Sequence, residues 1–515
     1  MNKNVFDAND FVSQWVEYWN HRDINSVQDL YDDDFEFYSP FLKKSEKFPD
    51  GTITNKQSLK SYFDKIVTQI PNLKLMLKDV RTAANTVNFT YVSSPENLVA
   101  NASLEFGDNG KIKKSYFNFR PDQLFADRVH RIPKSFIREI LKVTAEPEII
   151  SFAGGLPNPE FFPVEELKEA TRKVLEEDGS EVLQYTVSEG YGPLRESIAD
   201  RYWVKHKLKV DPDQILITNG SQQSLDLAGK IFINNSDRVL LEKPSYLGAI
   251  QAFSIYEPSF THVNLDEDGV DTGQLESLIQ KNRFKLFYVV PNFQNPTGIS
   301  YSAEKRKRVG EIMSETNTWL VEDDPYGEIR FIGKDLPPIS KYLNGKSIMA
   351  GSFSKIVAPG LRMGWVVAPE EVTEQMIVMK QGTDLHSNFL SQRIIHRFLL
   401  DNDLDQHIQK IKDAYRVQRN LMVEMIKTYF PEEVRFTQPE GGMFLWVTLP
   451  KYLKSIELFR LALENKVAFV PGNPFYTNGG GNDTFRLNYS NCNHEKIEEG
   501  IKRLGLLLQS CIVKR

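Results

Sequence analysis

A lysine, two serines and an arginine fall within eleven residues of each other in the stretch Gly351-Ser-Phe-Ser-Lys-Ile-Val-Ala-Pro-Gly-Leu-Arg362. An amine attacks a carbonyl only when it is unprotonated, so Lys355 among apolar and cationic neighbours is a better partner for an aldehyde than a solvated lysine. The hydroxyls of Ser352 and Ser354 and the guanidinium of Arg362 suit a dianionic phosphate. An aldehyde and a phosphate on one molecule describe pyridoxal 5′-phosphate. A surface lysine after a strand is the competing reading of Lys355 taken alone, so further residues must supply the other edges of the same molecule.

They lie at the ends of short apolar runs, where open α/β sheets bind ligands. Ile215–Thr218 leads into Asn219-Gly-Ser-Gln-Gln-Ser224, a helix start whose free N–H groups at Ser221 and Gln222 favour an anion, with Gly220 removing bulk. Val239–Leu241 leads to Tyr246, which can stack on a ring or serve as ordinary packing. Leu286–Val290 leads to Asn295, which the following proline restricts to an extended or turn conformation. Trp319–Val321 leads to Glu322-Asp-Asp-Pro-Tyr326. There Asp323 can pair with a protonated ring nitrogen and Tyr326 can donate to a phenolic oxygen, while Asp324 reads as an acidic turn before proline. Each pK unit by which a carboxylate raises a ring nitrogen favours the protonated ring by about 1.4 kcal/mol.

The elements that must position these residues follow from pattern and composition. The 515 residues exceed what one core supports. Apolar residues at helical spacing at Phe11, Trp15, Trp19, Val27 and Leu30 give two helices punctuated by Asn20–Asp23, and Leu59 to Val67 gives another. Strand-like runs follow at 35–38, 73–80, 86–92, 98–106 and 112–119, the last two joined by Asp108-Asn-Gly110, which is hairpin chemistry. This is an α+β module closed near residue 120. Its polar candidates are His21 in a turn, Asp33 and Asp34 read as capping or solvating a helix end, and Tyr62, so binding or assembly is expected of it before catalysis.

Ser135 begins a short helix as a possible N-cap, and Ala153-Gly-Gly-Leu-Pro-Asn-Pro-Glu-Phe-Phe-Pro163 is too rich in breakers for regular structure. Alternating helices and apolar strands to about residue 370 imply a largely parallel sheet covered on both faces. The last third, helix-rich and then carrying strands at 444–448, 467–470 and 484–489, reads as a smaller α+β domain. The fold class is therefore α/β with a preceding α+β domain. The boundaries are 1–121, a linker and arm at 122–163, a large domain at 164–395 and a small domain at 396–515.

Net charge of −6 with no basic block disfavours nucleic acid, and no apolar run approaches membrane-spanning length. Two cysteines, Cys492 and Cys511, make no disulfide framework, and the acidic N-terminus lacks a secretory pattern, so a cytoplasmic protein is expected.

Residues 10–119 resemble the SnoaL-like branch of the NTF2-like fold in Trp19-Asn-His-Arg-Asp-Ile-Asn25, Leu30-Tyr-Asp-Asp-Asp34 and Gly110-Lys-Ile112. Such modules form a cone around a pocket. From Ser135 to the C-terminus the chain resembles fold-type I pyridoxal-phosphate aminotransferases of class I/II, nearest the 2-aminoadipate and kynurenine group. The carrying residues are Ser135–Leu141, Phe152-Ala-Gly-Gly-Leu-Pro157, Gln184-Tyr-Thr-Val-Ser-Glu-Gly-Tyr191, Phe293-Gln-Asn-Pro-Thr-Gly298, Glu322–Tyr326, Gly351–Lys355 with Pro359–Arg362, and Phe485-Arg-Leu487.

The resemblance implies Lys355 as the cofactor-linked lysine and proton shuttle, Asp323 at the ring nitrogen, Asn295 and Tyr326 at the phenolic oxygen, and Tyr246 over the ring. It places Ser221, Gln222, Ser352, Ser354 and Arg362 at the phosphate, with Tyr185 reaching the phosphate of a second subunit in a homodimer. Arg486 would hold the substrate α-carboxylate. Without the resemblance it would be a plain solvent-facing arginine on an alternating strand. Ser135, Arg138, Gly154 and Gly155 match positions on the substrate side, Arg138 reading equally well as an exposed helix residue. Transfer of an α-amino group to a 2-oxo acid such as 2-oxoglutarate is the expected activity. The alternatives are a lyase, decarboxylase or racemase using the same ring and lysine, and a ligand-sensing regulator, for which the basic helix-turn-helix is absent. A second activity in residues 10–119 lacks a convincing acid–base pair.

Overall fold

The computed structural model describes residues 8–44, 47–83, 85–95, 98–121, 128, 146, 148–343 and 345–513. The helix expected from Ser135 lies outside the described residues. The chain divides into two compact units, Met1–His130 and Arg131–Arg515.

The first unit sets the helices Ala8–His21, Ile24–Asp29 and Lys56–Gln69 against a six-stranded sheet. On Ala8–His21, Val12, Trp15, Val16 and Trp19 recur at the spacing of one helical face and are all buried. Asp23 and Asn55 cap the next two helices by accepting from the Ser26 and Ser58 amides. The sheet runs in the order Thr52–Ile53, Tyr31–Tyr38, Ile112–Pro121, Leu98–Phe106, Thr86–Ser94, Lys74–Ala83. Only the pairing of Tyr31–Tyr38 with Ile112–Pro121 is parallel.

Asp33 and Asp34 do not end a helix; they lie within Tyr31–Tyr38. The register jumps there, from Tyr31 opposite Ile112 to Glu36 opposite Lys114, so the strand bulges and its alternation is hidden. Asp33 faces solvent and pairs with Lys56 at 2.6 Å. His21 is exposed, its Nδ1 2.9 Å from the Glu17 carbonyl.

The second unit is organised on an eight-stranded sheet ordered Gly269–Val270, Ser259–Asp266, Arg238–Lys243, Leu286–Val289, Trp319–Asp323, Ser347–Ser352, Gly364–Val367, Ile215–Thr218. The five from Ser259–Asp266 to Ser347–Ser352 are parallel, and Gly364–Val367 is antiparallel to both neighbours. Along these strands successive residues enter different cores. Val239, Leu241, Tyr288 and Val321 belong to one cluster. Leu240, Phe287, Val289 and Leu320 belong to another. Both faces are thus covered, which is why the strands read as unbroken apolar runs.

A second sheet orders Arg435–Phe436, Phe444–Thr448, Thr484–Asn488 and Val470–Pro471, all antiparallel. The run expected as one strand at 467–470 is divided. Val467–Ala468 pairs in parallel with Ile150–Ser151, and Val470–Pro471 joins Thr484–Asn488. Residues 150–156 are bonded step by step to this layer. Phe152 N donates to Ala468 O at 2.8 Å, Asn488 N to Phe152 O at 2.9 Å, and Ser490 Oγ to Leu156 O at 3.0 Å. Cys492 and Cys511 are both free thiols. No helix among the described residues is long and apolar enough to cross a membrane.

Candidate active site

Beyond the carboxyl ends of the parallel strands lies a cavity of about 520 Å³. Into it the sheet brings Ser221, Gln222, Tyr246, Asn295, Asp323, Tyr326, Ser352, Ser354, Lys355 and Arg362, and the second sheet adds Arg486. Gly155 lines it too, but Gly154 does not. Tyr185 is 76 % exposed, edge-on to His386, and outside the cavity of its own chain. Ser135 and Arg138 lie outside the described residues.

Asp323 ends its strand with only 2 % of its surface exposed. Tyr288 Oη donates to its Oδ2 at 2.9 Å, whereas Oδ1 has no partner. Burial pushes this carboxyl up to about 7. A cation set against Oδ1 would draw it back down.

Lys355 follows the Ser347–Ser352 strand, and its Nζ donates to the Gly155 carbonyl at 3.0 Å. Burial first, and then the charges of Arg486 and Arg362, hold its ammonium down to about 8. The amine is therefore available near neutrality, as the apolar and cationic setting implied. Ser352 Oγ donates to Ser354 Oγ at 2.9 Å, and the Ser354 amide donates to Ser352 Oγ at 3.1 Å.

Arg362 has left-handed backbone (φ 53°), and its Nη2 donates to Asn219 O at 3.2 Å beside the start of helix Ser221–Phe232. A Cβ at Gly220 (φ 74°) would come within 2.8 Å of that guanidinium. Only glycine allows this approach. Arg362, the helix start and the paired serines form a cup with cation, N–H and hydroxyl donors, a set suited to a phosphate.

Arg486 does not face solvent; 99 % of its surface is covered, since 1 % is exposed. Nη1 donates to Asn295 Oδ1 and Nη2 to Ala153 O, each at 2.7 Å, while Nε has no partner. The guanidinium lies 4.2 Å from the centroid of Phe444. Burial lowers it to about 10, so it stays cationic at neutral pH. Tyr326 is buried against Phe444, and burial raises its phenol far above the ordinary value. Tyr246 caps the Leu247–Ser254 helix, its phenol pushed up to about 12 by burial.

Five contributors escape sequence reading. Tyr288 looks like one more core residue in an apolar run. Phe444, the Ala153 carbonyl and the Asn219 carbonyl act through position alone. Asp324, read as an acidic turn before proline, is half-buried and accepts from Asn292 Nδ2 at 2.9 Å and from the Gly327 amide at 2.8 Å.

These groups fit pyridoxal 5′-phosphate. A buried carboxylate oxygen without a partner matches a cationic ring N–H, a depressed lysine matches the aldehyde, and the cup matches the phosphate.

The family model described as aminotransferase class I and II matches residues 148–504. The 2-aminoadipate transaminase of Thermus thermophilus is 43 % identical over 76 % of this chain and 98 % of its own. Aromatic-amino-acid aminotransferase 1 of Thermococcus litoralis is 39 % identical over 75 % and 94 %. Among solved structures, the Thermus thermophilus alpha-aminoadipate aminotransferase complexed with N-(5′-phosphopyridoxyl)-L-leucine superposes with a TM-score of 0.71 at 42 % identity, covering 76 % of this chain and 98 % of that one.

Proposed function

The chain belongs to the class I and II aminotransferase family, and from that membership we propose that it moves the α-amino group of 2-aminoadipate or of an aromatic amino acid to a 2-oxo acid such as 2-oxoglutarate. It is a pyridoxal-phosphate-dependent aminotransferase. The substrates named for its relatives support the choice of donor.

In this assignment Ser221, Gln222, Ser352, Ser354 and Arg362 would hold the phosphate, Tyr246 would pack on the ring, and Asn295 and Tyr326 would meet the phenolic oxygen. When bound, the cofactor supplies an electron sink for the pair left when a bond at the substrate α-carbon breaks. Asp323 would keep the ring nitrogen protonated, since Tyr288 occupies Oδ2 and leaves Oδ1 without a partner. Arg486 grips the α-carboxylate with two parallel N–H donors, a geometry that lysine cannot supply. Asn295 and the Ala153 carbonyl hold that guanidinium in place before substrate arrives. Lys355 Nζ takes the proton from the substrate α-carbon, a task its depressed pKa suits near neutral pH.

One observation carries this assignment: a buried carboxylate with one oxygen fixed and the other without a partner shares a cavity with Lys355 and Arg486. Single amino acids added to the purified protein should convert the absorbance of the aldehyde cofactor to that of its amine form, and a 2-oxo acid should reverse it. Release of ammonia or carbon dioxide instead would identify a lyase or decarboxylase. Ranking 2-aminoadipate, tyrosine, phenylalanine and kynurenine by rate tests the donor.

We take Tyr185, exposed on its own chain, to reach the phosphate site of a second copy, which makes the working unit a homodimer, and we assign that homodimer to the cytoplasm. Sedimentation that returns a monomer at working concentration would refute this. Residues 1–121 form an SnoaL-like domain of NTF2-like fold. Helices followed by an antiparallel meander support that assignment.

A further inference from the structure

The segment that carries Asn295 has no helix or strand of its own to hold it. It covers residues 290–302, between the strand Leu286–Val289 and the helix Ala303–Ser314. Within it Phe293 takes a left-handed backbone (φ 49°), which a residue with a bulky side chain seldom adopts unaided. Asn295 Oδ1 is nonetheless placed to accept from Arg486 Nη1 at 2.7 Å. Its course is fixed from outside.

Glu242, on the neighbouring strand Arg238–Lys243, supplies the hold, and none of its surface is exposed. Its Oε1 accepts from the Val290 amide at 3.3 Å, at the start of the segment, and from Tyr301 Oη at 2.7 Å, near the end. Its Oε2 accepts from Gln294 Nε2 at 3.0 Å, next to Asn295. One carboxyl thus ties the start, the middle and the end. Gln294 spreads the hold further, since Nε2 also donates to Pro244 O at 2.8 Å and Oε1 accepts from the Thr297 amide at 3.0 Å and from Thr297 Oγ1 at 2.7 Å. In so buried a network, each bond lost leaves a polar group unpaired.

Burial pushes the Glu242 carboxyl up to about 8, against the pull of its three donors. An apolar side chain would fill the same space without that cost, so packing does not account for an acid here. Glu242, Gln294 and Tyr301 do not line the cavity around Lys355, whereas Val290 and Asn295 do. What Glu242 does for the site it does through the segment it holds.

We propose that Glu242 is a positioning residue: through Gln294 it sets Asn295, and through Asn295 it aims the guanidinium of Arg486 before a substrate carboxylate arrives. The inference rests on the assignment of Arg486 to that carboxylate.

Titration calorimetry on the holoenzyme with glutarate, which has carboxylates but no amino or 2-oxo group, reads the Arg486 fork without turnover. Glu242→Gln keeps the size but turns an NH2 group towards the donors, so it should weaken glutarate about tenfold and raise KM for the amino donor to match. Gln294→Glu alone should act in the same direction, because two acids then face each other. Combined, the two variants again set an amide against an acid with the roles exchanged, and glutarate affinity should return to within about threefold of wild type. A purely structural Glu242 would lower the melting temperature in Glu242→Gln while leaving glutarate affinity and KM where they were. That result overturns the proposal, as does a double variant no better than either single one. If Glu242→Gln fails to fold, Gln294→Met, which removes the amide between Glu242 and the segment, decides by the same two readings. Arg486→Lys separates the two claims. Where it weakens glutarate and Glu242→Gln does not, the positioning role alone falls; where it leaves glutarate unchanged, the carboxylate grip is wrong and the positioning role falls with it.

Discussion

The cavity around Lys355 and a ring-lined cavity of about 350 Å³ within the first unit, walled by Trp15, Phe63 and Phe117 among others, are built on opposite plans. The one around Lys355 collects charge from separate strand ends and leaves polar atoms incomplete, notably Asp323 Oδ1 and Arg486 Nε. The one in the first unit collects rings and carries a single lysine. A polar site assembled from distant strands tolerates little change in chemistry, because each group is set for a particular partner. A ring-lined site tolerates changes in chemistry and responds to changes in volume. The first should thus fail through substitutions that keep shape, and the second through substitutions that alter it.

Turnover gives the sharpest way to break this contrast. Lys355→Ala should lower the half-reaction rate at least about 10³-fold, measured by stopped-flow absorbance, since the group that moves the proton is gone. Asp323→Asn, nearly identical in shape, should lower kcat about 10²-fold, because the ring nitrogen loses the charge that keeps it protonated. Arg486→Lys keeps the charge but loses the planar fork, so kcat/KM should fall about 30-fold, mainly through KM. If these conservative changes are harmless while packing changes are not, the contrast is wrong.

A pH measurement sharpens it further. Lys355 joins an aldehyde as the free amine, and its pKa is held below the ordinary lysine value, so the competent form accumulates as pH rises through about 8. The rate at which added pyridoxal 5′-phosphate is taken up should therefore climb through that pH. In Arg486→Leu the half-point should move up, towards ordinary lysine, because the stronger of the two neighbouring positive charges has been removed. The smallest effect on turnover belongs to Phe117→Ala in the first unit. It should destabilise that unit by about 3–5 kcal/mol, visible in calorimetry, while leaving transamination near the wild-type rate.

Much of this was legible in the sequence for a specific reason. Strands buried on both faces appear as apolar runs, and the residues just past their ends are the ones that can meet a ligand, so Asn295, Asp323 and Lys355 could be found from position. Tyr288 could not. It occupies a core position of the Leu286–Val289 strand, and only the parallel pairing with Trp319–Asp323 turns its hydroxyl into the fixed partner of Asp323. Arg486 needed a family resemblance, because a buried arginine and an exposed one look alike in a strand whose five residues are all buried. Asp33 and Asp34 misled for the converse reason. A bulge interrupts the alternation from which a strand is recognised, and the acids then resemble those that cap or solvate a helix end.

The ribbon from Ile150 to Leu156 has a mechanical consequence. Its backbone is anchored to Ala468, Asn488, Arg486 and Ser490 in the C-terminal layer, and it reaches the large sheet through the Gly155 carbonyl that receives the Lys355 proton. Whatever displaces the C-terminal layer must drag that carbonyl with it. Arg486 and Lys355 thus hold carbonyls two residues apart on one ribbon, so the two cations of the site are tethered to the same short length of backbone.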